Sequence, residues 1–156
     1  MKTNYIIITL MCLICSTMSF AQNNNSKLFD KYADTDGVTS VYISKAMFKM
    51  MPGMQDVGLN LMNMQGKLES LYIVTTERKD LVPQMRKEFS QLIEKSHEEL
   101  MRVRDGKTKA TFYANMNGEN VKDLLMIVDD EGDFMVLQLK GNFTLQDIQE
   151  ITKDVK

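Results

Sequence analysis

The spacing of apolar residues changes character several times along the chain. Residues 5–14 form a predominantly apolar run behind a single charge, Lys2. From Ser26 the period is helical, with Leu28, Phe29 and Tyr32 on one face, until Asp34-Thr35-Asp36-Gly37 supplies turn residues. Residues 38–44 read as a strand rich in β-branched and aromatic side chains, and residues 46–51 as a short helix ended by Pro52-Gly53. Residues 54–66 carry no clear pattern. Residues 68–76 predict a second strand, with Leu71, Ile73 and Thr75 alternating against Tyr72 and Val74. The clearest helix follows: Leu81, Val82, Met85, Phe89, Leu92, Ile93 and Ser96 fall at the spacing of one helical face, and Pro83 lies in the first turn, where its missing N–H is tolerated.

Beyond His97 the period shortens to two. Residues 99–103, 109–114, 121–129 and 134–140 predict four successive strands, with Asp105-Gly106, Asn117-Gly118 and Glu131-Gly132-Asp133 as the turns between them. Thr144 then caps a last helix reaching Lys153, with Leu145, Ile148 and Ile151 directed inward. Consecutive hairpins at one end of the chain and helices elsewhere predict an α+β fold: an antiparallel or mixed sheet of about six strands with helices packed on one face.

The first 21 residues change the setting of this domain. One positive charge, an apolar run of about ten residues and small residues at Ser19 and Ala21 make the n-region, h-region and cleavage site of a signal peptide; a spanning helix needs about twenty apolar residues. Cleavage is expected after Ala21. It leaves a flexible polar leader, residues 22–26, a single domain over residues 27–156, and no transmembrane helix in the mature chain. The protein is therefore expected outside the cytoplasm, in the periplasm or the extracellular space. Cys12 and Cys15 raise the rival reading of a lipid anchor. That cleavage wants a small residue before the cysteine, however, and Met11 and Ile14 stand there, so anchoring at Cys15 is not favoured. Both cysteines leave with the signal peptide, and packing alone must hold the mature domain. Losing Lys2 makes the net charge one unit more negative than the −2 of the whole chain, mild and mixed in sign, which argues against a nucleic-acid partner.

Several segments together are similar to a known family. They are Leu28-Phe29 with Tyr32, Gly37-Val38-Thr39-Ser40-Val41-Tyr42-Ile43-Ser44-Lys45, Ile73-Val74-Thr75-Thr76-Glu77 and Glu98-Glu99-Leu100-Met101. The likeness continues through Asp123-Leu124-Leu125-Met126-Ile127-Val128-Asp129 and Leu139-Lys140-Gly141-Asn142-Phe143-Thr144-Leu145. In order and spacing they resemble domain of unknown function 4252, a family of exported proteins of Bacteroidetes-type bacteria. The resemblance implies no reaction, cofactor or partner. Its members are often lipoproteins, a pattern from which this chain departs at Cys15.

Candidate chemistry is sparse. His97 is the only histidine, and the helical reading places it at a helix end, solvated or capping; its neighbour Ser96 cannot face it on a helix. Without mature cysteines neither a Cys–His pair nor a zinc site of nitrogen and sulfur ligands can be assembled. Asp34-Thr35-Asp36-Gly37 opens like a calcium loop, but Thr39 and Lys45 stand where ligands belong, so a turn is expected. Asp129-Asp130-Glu131-Gly132-Asp133 reads as a charged hairpin turn, and the sequon Asn142-Phe143-Thr144 as a helix cap.

The unusual residue is methionine. Met47, Met50, Met51 and Met54 recur at three- and four-residue spacing, and Met62 and Met64 follow. Flexible thioether side chains make adaptable binding surfaces, and the same sulfurs suit Cu(I). The expected function is a non-enzymatic envelope module that binds a protein or peptide through these methionines or through a sheet edge, with no cofactor. The alternatives are a soft-metal binder using the same methionines and a carboxylate-based hydrolase.

Overall fold

A computed structural model of the chain describes residues 24–50, 64, 66–93 and 95–153. The segment expected to be a signal peptide lies outside these residues, and the unpatterned connection largely so. The elements run α1 (Asn24–Ala33), β1 (Val38–Ser44), α2 (Lys45–Met50), β2 (Leu68–Thr76), α3 (Val82–Phe89) with a 3₁₀ turn (Ser90–Leu92), β3 (His97–Asp105), β4 (Thr108–Asn117), β5 (Asn120–Asp129), β6 (Phe134–Thr144) and α4 (Leu145–Lys153). The six strands form one sheet in the order β1-β2-β6-β5-β4-β3, every pair antiparallel. The fold is α+β, as the alternation of strand and helix periods predicts.

The C-terminal meander follows from its turns. Gly106 and Gly118 take φ values of +56° and +64° at the first position of two-residue hairpin loops, a left-handed conformation that residues with a Cβ rarely adopt. Asp105 then faces Thr108, and Asn117 faces Asn120. At the end of β6 the Thr144 hydroxyl accepts the Asp147 N–H at 3.2 Å while Asp147 Oδ2 accepts the Thr144 N–H at 2.8 Å, a reciprocal cap that starts α4. Lys67 Nζ binds the same carboxylate at 2.7 and 2.9 Å. These bonds, that from Lys67 first and the Thr144 N–H next, hold the Asp147 carboxyl below its ordinary value.

Apolar residues lie on both sides of the sheet, and the helices divide between them. This corrects the expectation of a single helix-covered face. The cause is in the strands: in β2, Leu71 and Ile73 point one way, Tyr72 and Val74 the other, and all four are apolar, so each side needs cover. On face A the row Ile43–Leu71–Leu139–Leu124–Ala114 is buried with Phe48 of α2, Met64 and Ile148 of α4. On face B, α1 and α3 bring Phe29, Tyr32, Val82, Met85 and Phe89 onto Val74, Val136, Phe134 and Leu125. The Phe89 ring lies 5.1 Å from Phe29 and 5.2 Å from Tyr32 between centroids, and Phe29 stacks on Tyr72 at 4.8 Å. The Tyr32 hydroxyl donates to Glu88 Oε2 at 3.0 Å, and Lys31 reaches the same carboxylate, which fastens α1 to α3.

The long helix is shorter than its periodicity predicts. Val82, Met85 and Phe89 are its buried stripe, the 3₁₀ turn adds Leu92, and Ile93 is already extended at φ −76°, ψ 93°. Residue 97 therefore opens β3 instead of closing a helix. Among the described residues no helix is long and apolar enough to cross a membrane.

Candidate partner-binding surface

Among the described residues, cover on face A stops partway across the strands. One step beyond the buried row lies Val41–Ile73–Leu137–Met126–Phe112–Met101, each residue directly opposite the next, and beyond it Thr39–Thr75–Met135–Val128–Ala110–Val103. Ten of these twelve side chains are apolar, none is charged, and all are half-buried or exposed. Six strands and two residue rows span roughly 29 by 14 Å, about 400 Å² of apolar surface, the size at which a patch on a monomer is commonly functional.

Helix α2 packs on this face. It begins where β1 ends, with the Met47 N–H donating to Ser44 Oγ at 3.3 Å, and it buries Phe48. Met47 and Met50, one turn apart, are 46 and 76 % exposed. Met64 is fully buried in the face A core and so is packing, not surface. Met51, Met54 and Met62 lie outside the described residues. Of the three described methionines of the cluster, two are thus exposed thioethers and one is core filler; the open sheet rows on the same face were missed in sequence.

Where face B lacks a helix it is charged. Glu99, Arg102 and Arg104 of β3, Lys109, Thr111 and Tyr113 of β4 and Asp129 of β5 occupy it. Arg86 of α3 clamps Asp129 through two bonds of 2.5 and 2.6 Å, Lys107 pairs with Glu131, and the Thr108 hydroxyl donates to Asp130 Oδ2 at 2.9 Å. A shallow cleft of about 410 Å³ lies among these groups. Each of its three carboxylates is held by a cation or a hydroxyl, an arrangement for fixing a hairpin rather than for moving a proton.

His97 is not at a solvated helix end. It heads β3 with its side chain only 1 % exposed, its Nε2 3.8 Å from Asp123 Oδ2. Gln138, also buried, donates to that oxygen from Nε2 at 2.8 Å, and Asn115 donates to Ser96 Oγ at 3.0 Å. Sequence spacing could not reveal this, because the partners come from β5 and β6. A histidine so enclosed cannot meet a dissolved substrate, and the cluster is read as a polar island within the core. Asp34-Thr35-Asp36-Gly37 is a turn, closed by the Thr35 N–H on the Tyr32 carbonyl and the Val38 N–H on the Thr35 carbonyl.

Comparison with known proteins finds no match among curated proteins and none among solved structures. The model of the family described as Domain of unknown function (DUF4252) matches residues 32–151, from the last turn of α1 into α4 and thus across the whole sheet, and the chain belongs to that family.

Proposed function

We propose that the protein is an exported, non-enzymatic protein-binding module, and that its binding surface is the open half of face A together with Met47 and Met50. The supporting observation is the chemistry of that half. An uncovered sheet region normally carries polar side chains, as the uncovered part of face B does, whereas two full rows of face A carry no charge. Flexible methionines, Met101, Met126 and Met135 in the rows and Met47 and Met50 on α2, which packs on the same face, suit a surface that must adapt to its ligand. The export half of the reading rests on the leader pattern of residues 1–21.

A photo-crosslinking residue placed at Phe112 or Met126 in living cells is expected to capture an envelope protein, and the same residue at Lys109 on face B to capture none. Equal capture from both faces, or none from face A, would refute the reading. A second reading is favoured by one observation, that Met47 and Met50 are exposed and three residues apart. A Cu(I) competition titration checks it, with tight binding abolished in Met47→Leu/Met50→Leu as its required result.

A further inference from the structure

The two edges of the sheet are built differently. β3 has its register broken between Glu99 and Met101 and carries Glu98, Glu99, Arg102, Arg104 and Asp105, so a bulge and charges guard it against other strands. β1 has neither guard. Its residues Val-Thr-Ser-Val-Tyr-Ile-Ser are uncharged, and it pairs with β2 in unbroken register from Val38 opposite Thr76 to Ser44 opposite Ser70. Among the described residues no strand lies outside it. The row of backbone N–H and C=O groups along that outer side is matched only by another strand.

The surrounding charges say which strand. Asp34 and Asp36 stand exposed just before β1, and Lys45 and Lys49 stand exposed just after it. Two copies of this segment laid antiparallel place the acidic end of each beside the basic end of the other; laid parallel, they place like charges together. With the pairing centred on Val41, Val41 faces itself across the axis and Tyr42 lies opposite Ser40 of the second copy. Tyr42 is 58 % exposed and already stacked on Tyr72 at 4.5 Å, and a serine opposite leaves room for its ring.

We propose that two copies of the chain pair antiparallel through β1, about a two-fold axis at Val41, to form one continuous sheet of twice the width. The inference stands on the edge and its flanking charges, independently of the function proposed for face A. Its consequence for that face is that the two open halves become contiguous across the axis. A single strand pair is a small interface, below about 1,200 Å², so the dimer is reversible and concentration-dependent.

Sedimentation equilibrium of the purified protein tests this, with circular dichroism as the check on folding. The wild-type protein is expected to show a monomer–dimer equilibrium. Lys45→Glu/Lys49→Glu makes all four flanks acidic and Asp34→Lys/Asp36→Lys makes all four basic, so each is expected to self-associate at least about tenfold more weakly. An equimolar mixture of the two restores wild-type association, because opposite signs meet again. Val41→Lys sets two lysines against each other on the axis and abolishes the dimer. A protein that stays monomeric at every concentration, a dimer indifferent to these substitutions, or a mixture no stronger than its components would overturn the proposal. Capture at Phe112 is read separately, since none of the flank variants touches the open rows.

Discussion

Among the described residues, each face of the sheet is covered over only part of its width, but what the two leave bare is opposite in kind. On face B the helices α1 and α3 seal the apolar rows with interlocked aromatic rings, and the remainder is charged, with Arg86 held by Asp129 and Arg102 by Glu99 beside Arg104 and Lys109. On face A the six-residue helix α2 and the start of α4 seal one end, and the two rows beyond carry no charge on any of the six strands. The lesson is that lack of cover does not by itself mark a surface as functional. Lack of cover with no change of side-chain chemistry does, since solvent is then facing residues suited to a core.

The sharpest way to break this comparison uses two neighbours on β5. Leu125 points into face B and is fully buried, while Met126 points into the open half of face A. Leu125→Lys is expected to unfold the protein, because a buried, unpaired charge costs about 4 kcal/mol or more, and loss of the cooperative transition in thermal melts checks it. Next in size is Phe89→Ala, which removes the ring that Phe29 and Tyr32 pack against; a loss of about 3–5 kcal/mol is expected in denaturant titrations.

A third expectation concerns acid. Asp147 has its pKa depressed below the ordinary 3.8 by Lys67 and the Thr144 N–H. A depressed carboxylate stabilises the fold above that value and ceases to do so as the pH falls through its lower folded-state value, so this contribution vanishes only below about pH 4. Asp147→Ala removes the cap at neutral pH and is expected to cost about 1–2 kcal/mol, with a smaller acid sensitivity than wild type below pH 4. The smallest effect belongs to Met126→Lys: a stability change within about 1 kcal/mol, with the loss falling on partner capture instead. Were Met126→Lys to unfold the protein as Leu125→Lys does, face A would be a sealed core and the contrast would fail.

Much of this architecture can be read from residue order. The β1 and β2 boundaries, the glycine hairpin turns and the Thr144 cap are local features, set by side chains within a few residues of one another. Two things are not local. The helical spacing runs on to Ser96 because Ile93 and Ser96 happen to keep the period, while the chain has already turned extended at Ile93 to bring His97 beside Asp123. The open rows are hidden for a related reason. Residues 124–128 are apolar at every position, which announces two buried faces, and only the number and placement of short helices decide that one face is left half bare.

The strand order has a consequence in time. Chains are made from the N-terminus, so β2 is complete long before β6, its neighbour in the sheet and the last strand to be synthesised. The meander from β3 to β6 closes through short hairpins, whereas β2 must find β6 across some sixty residues of chain, the slower kind of contact. Until Phe134–Thr144 arrives, the β1–β2 pair waits with both of its edges bare. The stretch of chain that ends as the rim of the sheet therefore begins its life with unpaired backbone groups on both sides.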